Sequence, residues 1–320
     1  MIELAVIMDP IQNINLQTDS TIALILEGQR RNWIIQYIQA DDCFMQNGIV
    51  WAKMQTIKLN IKKAIITIEL SDKITIKPLH ECSFSFLRKD PPFDLSYLYL
   101  SYLLEHAEKQ DHLIVNKPSS VRDANEKIFA SYFPQCCPAT LISSQATIIK
   151  DFLNEHKQVI FKPLDSMGGH LIFLLEKGDR NINVVIETLT HKGHRPLMVQ
   201  QFIPDIQSTG DKRILLIDGI PYPYALSRIP DKEDIRGNLA AGGKGIAAHL
   251  TPKEEWICKQ IGPTLKAKGL FFVGIDVIGG YLTEINVTSP TGIRQIDALF
   301  NINTSAAILD SLLEKYNQKI

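Results

Sequence analysis

The sequence predicts an α/β and α+β fold, with a parallel α/β unit at the N-terminus and antiparallel segments with capped helices beyond it. Three observations lead to this. Residues 2–8 are almost continuously apolar, as in a strand covered on both faces. A helical pattern from Thr18 to Arg31 follows, with Ile22, Leu24, Ile25 and Leu26 on its apolar side, and then the strand-like run "NWIIQYI". Further on, "DKRILLIDG" and "YPYALSRIP" flank the pair Asp218–Gly219, which suits a tight antiparallel hairpin.

The remaining elements follow in order. Asp9 and Pro10 end the first strand, and "WAKMQTIKLN", "AIITIEL" and "KITIKPL" read as short β segments, some antiparallel. "SFSFLRKDPPFD" ends a strand in a proline-rigid turn, with a helix from Tyr97 to Lys109 and the strand "HLIVNKP" beyond it. A first domain therefore runs to about residue 120. Asn125 to Tyr132 reads as a short helix carrying Lys127, "QVIFKPLD" as a strand ending near Lys162, and "SMGGHLIFLL" as a glycine loop and strand. "RPLMVQQFIP" is another strand. Thr251, Pro252 and Glu254 form the start of a helix with a capping box, Ile257, Ile261 and Leu265 mark its buried side, and Gly269 supplies its exit.

Composition narrows the function classes. The chain has 320 residues and 45% hydrophobic content, enough for a large core and two or three domains. A formal net charge of -1 provides no chain-wide attraction for nucleic acid or anionic membrane. No window is apolar for long enough to span a bilayer, and "MIELAVIMDP" reads as a first strand and not a signal peptide. Five cysteines without metal-ligand or disulfide spacing fit a reducing, intracellular location.

Chemistry concentrates near the C-terminus. "VGIDVI" and "LTEINVTSP" look like buried strands, yet they contain Asp276, Glu284 and Asn286. Glu284 and Asn286 share a face by strand alternation, and a Gly279–Gly280 turn brings Asp276 near them. Two carboxylates and an amide oxygen suit magnesium, which offsets their repulsion; a structural cluster with basic partners is the other reading. Lys162 and the loop through Gly168 and Gly169 suit a phosphate, with the lysine as point charge and backbone N–H groups as donors, although such a loop on its own reads more readily as an ordinary turn. Arg213 lies beside a strand, Arg228 in "LSRIP", and Arg236 with Asn238 in the glycine-rich "IRGNLAAGGKG", which reads as a mobile loop over a ligand, with a merely flexible surface loop as the other reading. Arg88 and Lys89 form a second basic rim, for substrate or simply facing solvent; Cys43, Cys82 and Cys258 read as packing residues, and Cys136–Cys137, the reactive alternative, lacks a local histidine arrangement for catalysis.

Taken together, "AVIMDP", "RKDPPFD", "VNKPSSVRDANEK", "KPLDSMGG", "DKRILLIDG", "SRIP", "RGNLAAGG" and "VGIDVIGGYLTEINVTSPTGIRQID", in this order, resemble bacterial glutathione synthetase, an ATP-grasp carbon–nitrogen ligase, over almost the whole chain. The resemblance implies an N-terminal α/β substrate domain (residues 1–120), a central ATP-grasp lid (121–203) and a C-terminal catalytic part (204–320). It implies ATP contacts from Lys127, Lys162, the loop Ser166, Met167, Gly168 and Gly169, the hinge Gln200, Gln201, Phe202 and Ile203, and Asp211 on the ribose side. Ser166 stands where the family more often has glycine. Arg213 is implied as a phosphate and transition-state contact, and Asp276, Glu284 and Asn286 as the ligands of magnesium, or of manganese in its place. Arg88, Arg228, Arg236, Asn286, Ser289, Pro290 and Thr291 are implied as the substrate surface, with Arg213 and Arg236 catalytic. The implied activity joins γ-glutamylcysteine to glycine through an acyl phosphate, in a cytoplasmic homotetramer with no nucleic-acid or membrane partner. Another ATP-grasp carboxylate–amine ligase and a non-catalytic ligand-binding protein are the alternatives.

Overall fold

The computed structural model describes residues 1–231, 234–237, 239 and 242–319. Three sheets organise them. The first has seven strands: β1 (Glu3–Met8), β2 (Ile34–Gln39), β3 (Cys43–Gln46), β4 (Ile49–Lys62), β5 (Ile65–Pro78), β6 (Phe84–Arg88) and β7 (Leu113–Val115). The second has four: β8 (Thr140–Ser143), β9 (Gln158–Pro163), β10 (Phe173–Glu176) and β11 (Leu197–Gln201). The third has five: β12 (Asp211–Ile217), β13 (Ile220–Ile229), β14 (Lys244–His249), β15 (Phe272–Ile278) and β16 (Tyr281–Asn286). The helices are α1 (Ser20–Arg30), α2 (Leu95–Glu108), α3 (Pro118–Asp123), α4 (Ala146–His156), α5 (Ile182–Leu189), α6 (Ile206–Thr209), α7 (Pro252–Ala267), α8 (Ile293–Phe300) and α9 (Thr304–Asn317). None is long and apolar enough to cross a membrane among the described residues.

The N-terminal unit is parallel where the pattern requires it. β1 pairs in parallel with β2 and β6, and β6 with β7. Alternate β1 side chains enter different cores: Ala5 and Ile7 pack on one side, Leu4, Val6 and Met8 on the other. This explains the unbroken apolar run. α1 starts at Ser20 rather than Thr18, because the Asp19 carboxylate accepts the Thr21 N–H at 2.6 Å and fixes the cap. "AIITIEL" and "KITIKPL" are one strand, β5, paired with β4 across Ser71 and Asp72. A register shift at Gln55 and Ile57 accommodates the polar stretch, which in sequence resembles a break.

The middle of the chain departs further from expectation. β8, α4 and α5 form there without being anticipated, and Asn125–Tyr132 is a short 3₁₀ turn at Ile128–Tyr132 rather than a helix. The Asn125 side-chain oxygen accepts the N–H groups of Lys127 and Ile128 at 3.2 and 3.0 Å, holding the backbone out of a regular helix. Ile149, Leu153, Val159, Phe161 and Leu197 build a separate small core beneath the second sheet.

The third sheet follows the pattern closely. Asp218 and Gly219 take positive φ of 48° and 82°, the hairpin geometry expected of this pair. Gly219 also has no room for a side chain: a Cβ would lie 2.5 Å from the Gly262 carbonyl on α7. Thr251 and Glu254 complete the capping box, and Ile257, Ile261 and Leu265 are fully buried. All five strands pair antiparallel with their neighbours.

Glu27 fastens α1 to the C-terminal helices. Its carboxylate accepts from Arg30, Arg31 and Asn303, and Arg31 also reaches Asp310 on α9. The Arg30 hydrogen bond, against the opposing effect of burial, holds the Glu27 pKa down at about 2. Glu27→Gln is expected to cost about 2 kcal/mol of stability near neutral pH. Because the folded pKa lies below the ordinary 4.5, the difference from wild type should be full above pH 4.5 and fade as pH falls through about 2. Denaturant titrations of both proteins across that range measure it, and a pH-independent difference would contradict it.

Candidate active site

Two cavities meet between the sheets. The first is walled by the second and third sheets. Lys127, Lys162, Ser166 to Gly169, Gln200 to Ile203 and Asp211 all line it. The second opens between the third sheet and the N-terminal unit and is lined by Arg213, Arg228, Asn286 and Ser289 to Thr291. Lys127, Ser166, Met167, Gly168, Asp276 and Glu284 line both, so the cavities join at these residues.

The first cavity is built by strand register. Lys162 on β9 sits across from Met198 on β11, and its Nζ donates to Gln200 Oε1 at 2.7 Å. Gln200 donates in turn to Thr140 Oγ1 at 3.1 Å. Burial pulls the Lys162 ammonium pKa below its ordinary value, against the attraction of Glu284. Such a cation gains strongly from an incoming anion. Lys127 Nζ donates to the Ser166 carbonyl at 2.5 Å and lies 3.4 Å from Glu284 Oε1, bridging the glycine loop to the third sheet. Gly168 and Gly169 take φ of 64° and 80°, a conformation that disfavours side chains and draws the backbone into a tight loop. Ile160, Ile172, Ile203 and Ile278 supply apolar surface, which with the polar groups suits a flat ring carrying a charged tail.

Desolvation of Asp276 is offset by arginine. β12 pairs Arg213 with Asp276 on β15, and Asp211 with Arg228 on β13. Asp276 in turn stands opposite Glu284 on β16. The pleat therefore gathers these charges on one face. Arg213 holds Asp276 through Nε at 2.7 Å and Nη2 at 3.0 Å, and Arg228 approaches the same carboxylate at 2.9 Å. Burial alone would raise the Asp276 pKa; the two guanidinium groups more than offset it and hold the carboxyl well below the ordinary range. Asp211 is pushed the other way by burial, with Arg228 opposing, and its Oδ1 has no hydrogen-bond partner among the described residues.

The same geometry tests the fit for a divalent cation. Glu284 is part-exposed to both cavities, with Lys127 as its ion-pair partner. Asn286 Nδ2 donates to the Gly274 carbonyl and to Asp276 Oδ2, which turns its oxygen away from those bonds. Glu284 and Asn286 thus present hard oxygen atoms suited to magnesium, whereas both Asp276 oxygens already accept from arginine or amide groups. Among the described residues, no group of three or more His, Cys, Asp or Glu side chains gathers in metal-binding geometry.

Two expected placements differ. Arg88 is no exposed rim: it is buried, lines neither cavity, stacks over Phe272, and donates to Thr21 Oγ1 and the Pro290 carbonyl. With Arg213 donating to the Thr291 carbonyl at 3.1 Å, it fixes the Ser289–Thr291 turn from behind. Arg236 lines the first cavity rather than the second and pairs with Asp234; Asn238 lies outside the described residues. The five cysteines are free, and burial pushes the Cys137 thiol up to about 12, away from reactivity. Asn13, Asn15, Asp19, Asp90 and Glu126 also line the second cavity. No local motif marks these five; only Asp90 and Glu126, inside "RKDPPFD" and "RDANEK", fall in stretches with distinctive wording.

Comparisons with known proteins agree in both halves. The prokaryotic glutathione synthetase N-terminal domain matches residues 2–122, and the ATP-grasp domain of the same family matches residues 126–301. A glutathione synthetase of Coxiella burnetii is 49% identical over 315 residues, covering 98% of this chain and 97% of that protein. One from Pseudomonas aeruginosa is 46% identical, with 97% of each chain covered. Among solved structures, D-cycloserine synthetase DcsG superposes with a TM-score of 0.68 at 12% identity, covering 98% of this chain and 99% of that one. The ATP-grasp ligase PsnB, complexed with minimal precursor, Mg and ADP, gives 0.63 at 14%, covering 98% of each chain. At such identities the structures speak to the fold alone; the matched ATP-grasp domain names it. The family matches and the near full-length relatives go further: this chain belongs to the prokaryotic glutathione synthetase family.

Proposed function

We propose that this chain is an ATP-dependent ligase that joins γ-glutamylcysteine to glycine and releases glutathione, ADP and phosphate. The single observation that supports it best is the junction of the two cavities at Lys127, Gly168, Asp276 and Glu284. A nucleotide in the first cavity would point its phosphates at an acid held in the second. A free carboxylate has a poor leaving group, so amide formation needs the oxygen to be phosphorylated first. The cysteinyl carboxylate attacks the terminal phosphorus of ATP, and the bond to ADP breaks. The glycine nitrogen then attacks the acyl carbon, the carbon–oxygen bond breaks, and phosphate departs with the electron pair. Of the two protons lost from the glycine ammonium, one leaves with phosphate and one reaches solvent.

The residues divide this work. Lys127 and Lys162 bind the phosphates, Gln200 to Ile203 border the base, and Asp211 receives a ribose hydroxyl through its unpartnered oxygen. Arg213 and Arg228, already oriented by Asp276, stabilise charge on the transferring group and the tetrahedral intermediate. Glu284 and Asn286, with Asp276 beside them, would hold magnesium or manganese, which when bound offsets phosphate charge. Arg236, on the wall of the first cavity, stabilises charge on the reacting groups. Residues 1–120 would bind substrate, 121–203 act as lid, and 204–320 hold the chemistry, in a cytoplasmic homotetramer. Incubation with γ-glutamylcysteine, heavy-nitrogen glycine, ATP and magnesium, read by mass spectrometry, should yield labelled glutathione with matching ADP. Faster ligation of an unrelated acid or amine would reject the assignment.

A further inference from the structure

The residue beside Lys127 has no role in the scheme above, yet it is more tightly engaged than most of the groups in it. Glu126 Oε1 accepts three hydrogen bonds: from Val287 N at 2.9 Å, Thr288 N at 3.0 Å and Thr288 Oγ1 at 2.8 Å. Its backbone carbonyl accepts a fourth, from Ile285 N at 2.9 Å. These four donors bracket Asn286 and run directly into the Ser289–Thr291 turn. On the other side, Lys127 Nζ reaches the Ser166 carbonyl and Glu284. One dipeptide thus joins the glycine loop of the first cavity to the floor of the second. Keeping a carboxylate there costs desolvation, which the Val287 and Thr288 donors must offset.

We infer that Glu126 is a positioning residue that holds the substrate-side turn in register with the phosphate-side lysine, and so aligns the two cavities. The inference rests on the proposed ligase reading. What it requires of residue 126 is an acceptor at full glutamate reach, not a negative charge. Glu126→Gln keeps an oxygen at that reach and can accept the same bonds. Glu126→Asp keeps the charge but withdraws the oxygen by one methylene.

The variants should therefore rank against charge. Glu126→Gln should retain kcat and KM close to wild type. Glu126→Asp and Glu126→Ala should lose about 10- to 100-fold in kcat, the range seen when groups supporting a site's direct contacts are removed. Their KM for γ-glutamylcysteine should rise while KM for ATP changes little, and more ADP should form per glutathione. Thermal midpoints of all four proteins separate misalignment from unfolding, and the Gln and Asp pair decides the matter if the alanine variant does not fold. An active aspartate variant with a dead glutamine variant would overturn the inference, as would three variants with wild-type kinetics. A wild-type protein that makes no glutathione would instead reject the ligase reading itself.

Discussion

Asp276→Asn is expected to destabilise the fold by about 3–5 kcal/mol and to abolish most ligation. The reason is the shared counter-ion. Asp276 serves Arg213 and Arg228 together, and all three groups are buried. Removing one member of a buried ion cluster leaves the others with an uncompensated desolvation cost. Arg228 keeps Asp211, but Arg213 loses both of its carboxylate hydrogen bonds in their charged form. Arg213, which is proposed to stabilise the transferring phosphoryl group, would then lose its orientation as well. Urea denaturation measures the first effect and steady-state ligation the second. An unchanged denaturation midpoint would show that the arginines do not depend on this carboxylate.

Glu284→Gln is expected to behave in the opposite way, leaving the fold intact and stopping the chemistry. Its side chain is partly exposed, and Lys127 at 3.4 Å is its ion-pair partner. Loss of the charge also relieves repulsion with Asp276 across the strand pair. Stability should therefore stay close to wild type. Ligation should fall by about 100-fold or more, since a group proposed to face the phosphates and their cation is lost. The magnesium concentration giving half-maximal activity should rise. Circular dichroism and magnesium titration of activity read the two effects separately. Wild-type magnesium dependence in a folded variant would remove Glu284 from the site. The contrast between Asp276 and Glu284, opposite one another in one ladder, separates a carboxylate that stabilises the fold from one that serves the ligand.

Legibility in the sequence followed the physics of each segment. β1, α7 and the β15–β16 pair were readable because each obeys a local rule: an apolar run, a capping box, a Gly–Gly turn. The placement of Glu284 and Asn286 on one face followed from alternation alone. α4 and α5 leave little trace in the sequence because their buried residues are few, Ile149 and Leu153 in one and Ile186 and Leu189 in the other, and serve only a small core. β5 reads as two segments in the sequence because Ser71 and Asp72 look like a break, although an exposed hairpin tolerates them. Charge partners were harder still. No local pattern reveals that Asp276 would bind two arginines from β12 and β13, or that Arg88 would face inward toward Pro290, since both depend on contacts remote in sequence. Glu126 belongs to the same class, with its partners some 160 residues away.

On the proposed reading, phosphoryl transfer to the cysteinyl carboxylate takes place where the two cavities join. Labelling both oxygens of that carboxylate with heavy oxygen tests it most directly. If the acyl phosphate forms, the oxygen lost on amide formation leaves with phosphorus, and each glutathione made should be matched by one phosphate carrying a single heavy oxygen. Phosphate without the label, alongside labelled glutathione formed at full rate, would contradict the account.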